Sequence, residues 1–440
     1  MTREIKEAVK QIGGQLIEWR RDFHQYPEAA WTEFRTADKV IKTLAGLGYE
    51  VRYGNEVIKE TAMMGVPSRE IIAEHAKRAV NEGADPAVIA RMAGGKTGVV
   101  GILRTGRPGP VIALRFDMDA NEVREKAEAG HRPWQEGFAS RHDGVMHACG
   151  HDGHTAIGLG VAEILQGERS KLCGTVKLIF QPAEEGVRGA RAMVEAGVAD
   201  DIDYLLGMHL GFLAGSSDRF ICGTEGFLAT TKLDAYFQGV PAHAGAAPQE
   251  GRNALLAAAQ AAVALHGISR HGAGVSRINV GVLEAGSGRN VIADRAVLKL
   301  ETRGETSEIN SFMQEEASRI LRGAADMQGV SVTIREMGGA AGGKSDTVMA
   351  GCLRQAAEAS GLFAVIEDSG SLGASEDFTC FLEHVQKRGG QGGYAMVGIN
   401  RAAGHHDGAF DFDEGALANA VTVLVLAALD ILHNRPYSYS

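Results

Sequence analysis

The chain has 440 residues, 45% apolar and 23% charged, a globular composition that excludes disorder, fibres and coiled coil and, at ~150 residues per domain, leaves room for two or three domains. Lys and Arg number 45 against 55 Asp and Glu, a net charge of −10 that works against nucleic acid and anionic membranes and points to a small-molecule partner.

Residues 4–48 read as helices, because Trp19, Phe23, Trp31, Phe34, Val40, Ile41 and Leu44 recur as a buried stripe that Tyr26-Pro27 interrupts. The stretch 53–95 is polar and helix-prone, without strand character, and reads as an insertion. Short apolar runs at 99–103, 111–116, 176–180 and 204–208, with a helical pattern at 155–166, predict an α/β sheet covered on both faces. From residue 227 the pattern changes to strand 232–238, helix 253–266, strands 277–282 and 296–301, helix 307–327 and strand 330–336. That β-α-β-β-α-β order predicts a small ferredoxin-like α+β domain. The glycines of 338–343 read as a flexible hinge, after which a strand at 394–398 and a helix at 414–433 resume the first texture. The expected organisation is a large α/β domain of residues 1–226 and 341–440, carrying the 53–95 insertion, with the domain 227–340 inserted into it.

Five cysteines, Cys149, Cys173, Cys222, Cys352 and Cys380, are too sparse and odd a set for a disulfide framework. The N-terminus has no apolar leader-like core, and the most apolar late run, 421–429, is shorter than a bilayer span. A cytoplasmic location is expected.

Open α/β sheets collect ligands at the carboxyl ends of their strands. There the chain places Asp117-Met118-Asp119, Gln181-Pro182-Ala183-Glu184-Glu185 and His209, with His147-Ala148-Cys149-Gly150-His151 before the helix at 155 and His405-His406-Asp407 near the C-terminus. Acids, imidazoles and a thiol are the donors a divalent metal site needs. Paired carboxylates suit hydrolysis, since one can hold a metal while the other takes a proton from water. A buried thiol beside a capping histidine and a solvated acidic loop are the plainer readings of the same residues.

The motifs Arg20-Arg21-Asp22-Phe23-His24 with Pro27-Glu28, Asp117-Met118-Asp119-Ala120, Cys149-Gly150-His151-Asp152-Gly153-His154, Gln181 to Gly186, Ala242-His243-Ala244 with Pro248, and Ser375-Glu376-Asp377 resemble the amidohydrolase branch of the M20 metallopeptidases. That branch includes hippurate hydrolases, N-acyl-amino-acid deacylases and auxin-conjugate hydrolases. The insertion 53–95 and the stretches 144–160 and 402–414 most resemble the A-type subunits of p-aminobenzoyl-glutamate hydrolases, which act with a homologous B-type subunit. The resemblance implies a metallopeptidase-like catalytic domain with an inserted lid and dimerisation domain, pairing as a homodimer or with a B-type partner. It implies two divalent ions, zinc or manganese, held by Cys149, His151, Glu185, His209 and His406, with the Cys149 thiolate bridging. Glu184 would be the general base and Asp119 the acid that orients a ligand, while Asp117 stands where many relatives place a metal-binding histidine. His243 matches a histidine that steadies the substrate carbonyl across a dimer interface, and Asn290 and Arg303 match positions that bind the substrate carboxylate. Asn290 capping a turn and Arg303 pairing with Glu301 are the structural alternatives. The doublet His405-His406 leaves the C-terminal ligand open, and alignment on Phe410 and Asp413-Glu414 favours His406.

Two rivals follow from the same residues. Gly338 to Ser345 matches the Walker A pattern, yet too little chain follows it for the parallel sheet of a nucleotide-binding fold. A non-catalytic protein that only pairs with a homologue is the other, and the filled metal positions count against it.

Overall fold

The computed structural model describes residues 1–433; the last seven residues of the expected 341–440 segment lie outside it. The chain forms two compact units, one of residues 1–225, 344–372 and 377 onward, the other of 226–343 with 373–376. Residues 341–343 and 373–376 therefore group with the smaller unit.

The larger unit is built on strands β1 (Glu50–Tyr53), β2 (Val99–Arg104), β3 (Val111–Asp117), β4 (Thr175–Gln181), β5 (Tyr204–Leu210) and β6 (Arg219–Glu225), and the smaller on β7 (Ala229–Gln238), β8 (Ser276–Ala285), β9 (Arg295–Gly304) and β10 (Ser331–Ala340). The strands β11 (Val365–Ser371) and β12 (Gln391–Val397) return to the larger unit, whose sheet has the order β1-β2-β4-β3-β5-β12-β6-β11. At its centre β4, β3, β5 and β12 run parallel, so their carboxyl ends share one edge. Along β3, Ile112, Leu114 and Phe116 join the core under the helix His151–Glu168, while Arg115 is buried against Gln181 and Asp377. Two glycines let that helix approach closely. A Cβ at Gly158 would stand 2.7 Å from Phe116 and Phe180, and one at Gly160 would stand 2.5 Å from Leu16. This pair serves packing.

The helix Gly415–Leu432 is longer than the run read from hydropathy. By length and composition it could cross a membrane, the one such helix among the described residues, but 78% of it is buried within the protein, where it packs on Gly13–Gln25 and His151–Glu168. It is a core helix.

The smaller unit is an antiparallel sheet of order β10-β7-β9-β8 with the helices Ala254–His266 and Ser307–Gln328 packed on Leu233, Ala235, Phe237, Leu298 and Leu300. Asn253 and Thr306 cap the two helices by accepting the Leu256 and Ile309 N–H groups. The expected hinge is in part strand, since Gly338, Gly339 and Ala340 pair with Lys232, Thr231 and Thr230. The Ser345 hydroxyl accepts the backbone N–H of Thr224 and of Tyr394, each at 3.0 Å, an arrangement unlike a phosphate loop.

Candidate metal centre

Three segments meet at the carboxyl edge of the central strands. The loop before His151 is zipped to the end of β3: Asn121 and Met146 exchange backbone hydrogen bonds at 2.9 and 3.0 Å, and Asn121 Oδ1 accepts the Ala148 N–H. The backbone N–H of His406 donates to Ala148 O at 2.8 Å, which brings the C-terminal histidines beside Cys149. Finally, the Asp119 carboxylate accepts the N–H groups of both Glu184 and Glu185, each at 2.9 Å, and so fixes the acidic pair at the end of β4.

The side chains converge in overlapping groups. Ligand atoms of Cys149, His151 and His209 lie within 4.8 Å of one another, as do those of Cys149, Glu185 and His406, and of His151, Glu184 and Glu185. Cys149 is common to the first two groups, with its sulfur 3.5 Å from His209 Nε2. His209 Nδ1 donates to Leu210 O and His151 Nδ1 donates to Asp119 O, both at 2.8 Å, so each ring offers Nε2 to the cluster. His151 Nε2 is buried and has no hydrogen-bond partner among the described residues. A buried nitrogen in this state is costly unless something coordinates it. One thiol, three imidazoles and two carboxylates around it form a donor set that fits divalent cations.

Two nearby histidines are otherwise engaged. His154 donates Nδ1–H to Asp117 at 2.6 Å and accepts the Leu210 N–H on Nε2 at 3.0 Å. His405 accepts the Phe212 N–H on Nε2, with Nδ1 3.8 Å from the Cys149 sulfur, and stacks on the Phe212 ring at 4.2 Å. His406 keeps Nε2 3.3 Å from Glu185 Oε1 and holds a left-handed backbone with φ 64°. Strain of this kind gathers at functional sites.

The electrostatics follow from burial and mutual contact. Burial would raise the Glu185 carboxyl, but the His406 hydrogen bond and the charge of His151 bring it down to about 2. Hydrogen bonds to Cys149 and Glu185 lift His406 to about 10. Burial pushes His209 well below the ordinary imidazole range and, with Arg401, takes His405 to about 3. Burial and the Glu185 charge raise the Cys149 thiol. A cation among these groups reverses the sense for Cys149 and His406, because both donate as deprotonated ligands.

The remaining expected residues lie in the smaller unit. His243 is exposed, and its Nδ1 accepts the Gly245 and Ala246 N–H groups at 3.2 and 3.0 Å. Asn290 is its neighbour, its carbonyl accepting the Ala244 N–H at 3.0 Å. Arg303 pairs with Glu301 at 2.9 Å. It sits at the far end of β9 from the His243 loop, since Thr230 pairs with Arg303 where Gln238 pairs with Arg295. The structure brings His243 and Asn290 together and keeps Arg303 apart from them.

Pattern reading missed the supports beneath the site. Glu33 accepts Trp31 N–H, Ala183 N–H and the Thr97 hydroxyl, and burial together with the Asp119 charge raises it to about 8. Ala183, which it holds, has φ 54°. Arg115 is buried between Asp117 and Asp377 at 2.6 and 3.0 Å. Arg20, also buried, meets Asp152, Asp411 and Glu414. These residues are far apart in sequence: Arg20, Asp117, Asp152, Ala183 and Asp377 stood in motifs, but Glu33 and Arg115 did not.

A family model described as Peptidase family M20/M25/M40 matches residues 113–430. The chain is 49% identical to the A-type subunit of the p-aminobenzoyl-glutamate hydrolase of Escherichia coli (strain K12) and 48% identical to indole-3-acetyl-aspartic acid hydrolase of Enterobacter agglomerans, each match covering 98% of this chain and 99% of the relative. The crystal structure of an aminobenzoyl-glutamate utilization protein from Klebsiella pneumoniae superposes with a TM-score of 0.83 at 42% identity, covering 97% of this chain and 98% of that one. A Bacillus subtilis structure, described as a dinuclear metal binding peptidase from the M20 family, matches with a TM-score of 0.66 at 25% identity, covering 97% and 100%.

Proposed function

Because this chain belongs to peptidase family M20/M25/M40, we propose that the acyl amino acid whose amide bond it hydrolyses is p-aminobenzoyl-glutamate, released as p-aminobenzoate and glutamate. The protein is a metal-dependent amidohydrolase. The observation that carries the reading of its site is the pair of three-ligand groups sharing Cys149, with Glu184 beside them. Cys149, His151, Glu185, His209 and His406 hold two divalent ions, zinc or manganese, and the engaged Nε2 of His405 favours His406 as the C-terminal ligand. When bound, the ions supply Lewis acidity to the scissile carbonyl and to the attacking water.

Glu184 is the base that takes the proton from that water and returns it to the leaving nitrogen. Its Oε2 lies 4.0 Å from His151 Nε2, close enough to serve a ligand held there. Asp119 holds the backbone of both glutamates, so that base and ligand keep a fixed spacing. His243 donates to the developing oxyanion, and Asn290 belongs to the substrate-binding loop beside it. Arg303, neutralised by Glu301, is the weakest of the expected substrate contacts. The smaller unit serves as lid and pairing surface, in a homodimer or with a B-type partner, and the enzyme acts in the cytoplasm.

Indole-3-acetyl-aspartate is the second substrate reading, carried by the relative of 48% identity. Assays of purified protein with zinc or manganese on p-aminobenzoyl-glutamate, indole-3-acetyl-aspartate and hippurate decide between them. A higher kcat/KM on either rival, under conditions that support turnover, overturns the p-aminobenzoyl-glutamate assignment.

A further inference from the structure

The insertion in the N-terminal half packs on the segment 188–192 that follows the two glutamates. Lys59 N–H donates to Ala192 O at 2.9 Å, Trp31 Nε1 donates to Met64 O at 2.8 Å, and Arg191 Nη1 lies 3.6 Å from the Met64 sulfur. In the middle of this contact is Arg188, three residues after Glu185. Its Nε donates to Glu185 O at 2.9 Å and its Nη1 to Gly65 O at 3.2 Å. Gly186, at φ +84°, lies beneath the guanidinium; a Cβ there would stand 3.0 Å from Nε.

This arginine is half-buried, held in one orientation, and without an acid. Among the described residues no carboxylate lies within 4.0 Å of it, whereas Arg20, Arg35, Arg115 and Arg132 each meet one. A guanidinium has five N–H donors in a planar fork. Two are used on backbone carbonyls, one on Nε and one on Nη1, which leaves three, both on Nη2 and one on Nη1, to donate charge-assisted hydrogen bonds to a carboxylate. A cation fixed by neutral carbonyls keeps its full charge for a ligand.

We propose that Arg188, oriented by Gly65 of the insertion, is the specificity-determining residue that binds a carboxylate on the amino-acid side of the scissile amide. This rests on the acyl-amino-acid reading above. In both substrates named by the similar hydrolases, p-aminobenzoyl-glutamate and indole-3-acetyl-aspartate, the carboxylates belong to the amino-acid half and the aromatic acyl half carries none. The α-carboxylate and the side-chain carboxylate present the same chemistry to a guanidinium, and the test separates them.

Wild type, Arg188→Gln and Arg188→Lys are to be compared for kcat/KM on p-aminobenzoyl-glutamate, on p-aminobenzoyl-glutamine, which lacks only the side-chain charge, and on the glutamate α-carboxamide, which lacks only the α charge. The expected result is that Arg188→Gln erases the preference for glutamate over one of the two amides by on the order of 10- to 100-fold, the size of a lost charge-assisted contact. The amide concerned identifies the carboxylate. Arg188→Lys recovers part of the preference, as a point charge without the fork. An equal fall on all three substrates would mean that Arg188 only braces the loop, and unchanged selectivity would mean that the carboxylate is read elsewhere; either overturns the assignment. Wild-type protein inert on all three would sink the substrate reading itself, a failure distinct from retained but Arg188-independent selectivity.

Discussion

Glu184 and Glu185 are adjacent, share one support in Asp119, and differ in what their side chains meet. Glu185 lies in ion-pair contact with His406, held down to about 2, and belongs to the Cys149 group. Glu184→Gln is therefore expected to keep both metals and the fold while losing ~10²–10⁴-fold in kcat, the usual cost of removing a general base. Glu185→Gln is expected to lose metal first. Metal content by elemental analysis beside kcat checks the pair, and the reverse pattern would mean that the roles are exchanged. Cys149→Ser should lower metal stoichiometry, since a hydroxyl is a poorer anionic ligand than a thiolate; unchanged stoichiometry would assign the thiol to packing. At this scale the sequence was informative wherever candidate ligands sit in a short motif at a strand end, as with Glu184-Glu185, or before a helix, as with Cys149-Gly150-His151. It was silent on Arg188 and Glu33, whose meaning depends on a backbone carbonyl or amide from a distant segment.

At the level of elements, β2 to β5 were legible because central strands buried on both faces are continuous apolar runs. β11 was not, because it is an edge strand of mostly exposed polar residues, Val365–Ser371, and β1 is only four residues long. The second helix, Gly13–Gln25, showed its apolar stripe but not its polar work. Burial opposes charge on His24, yet hydrogen bonds to Asp152 and Glu125, at 2.8 and 3.0 Å, outweigh it and raise its pKa despite the nearby Arg20. A group raised in the folded state stabilises fully below its unfolded value of about 6.5 and loses that contribution as pH rises through the folded value. The Tm deficit of His24→Gln relative to wild type should accordingly be larger at pH 6 than at pH 9. A deficit that grows with pH would show that His24 is neutral in the native protein.

For the whole molecule, removal of metal by a chelator should abolish hydrolysis and lower Tm, and zinc or manganese should restore both, because ions that bind only the folded state stabilise it by mass action. Full activity in metal-free protein excludes the mechanism. Mixing His243→Ala protomers with Glu184→Gln protomers tests whether two chains share a site: partial recovery of activity in exchanging protomers is expected, and none would confine His243 to its own chain. The sheet order has a consequence for synthesis on the ribosome. β12 lies between β5 and β6, and the buried helix Gly415–Leu432 follows it, so the middle of the sheet waits for the last ninth of the chain. Until those residues emerge, the edge of β5 and the apolar faces under that helix stay open, a state prone to aggregation and slow to resolve given its long-range pairings. Nascent chains stalled before residue 391 should need a chaperone to remain in solution, and only after release should they pass to a protease-resistant form.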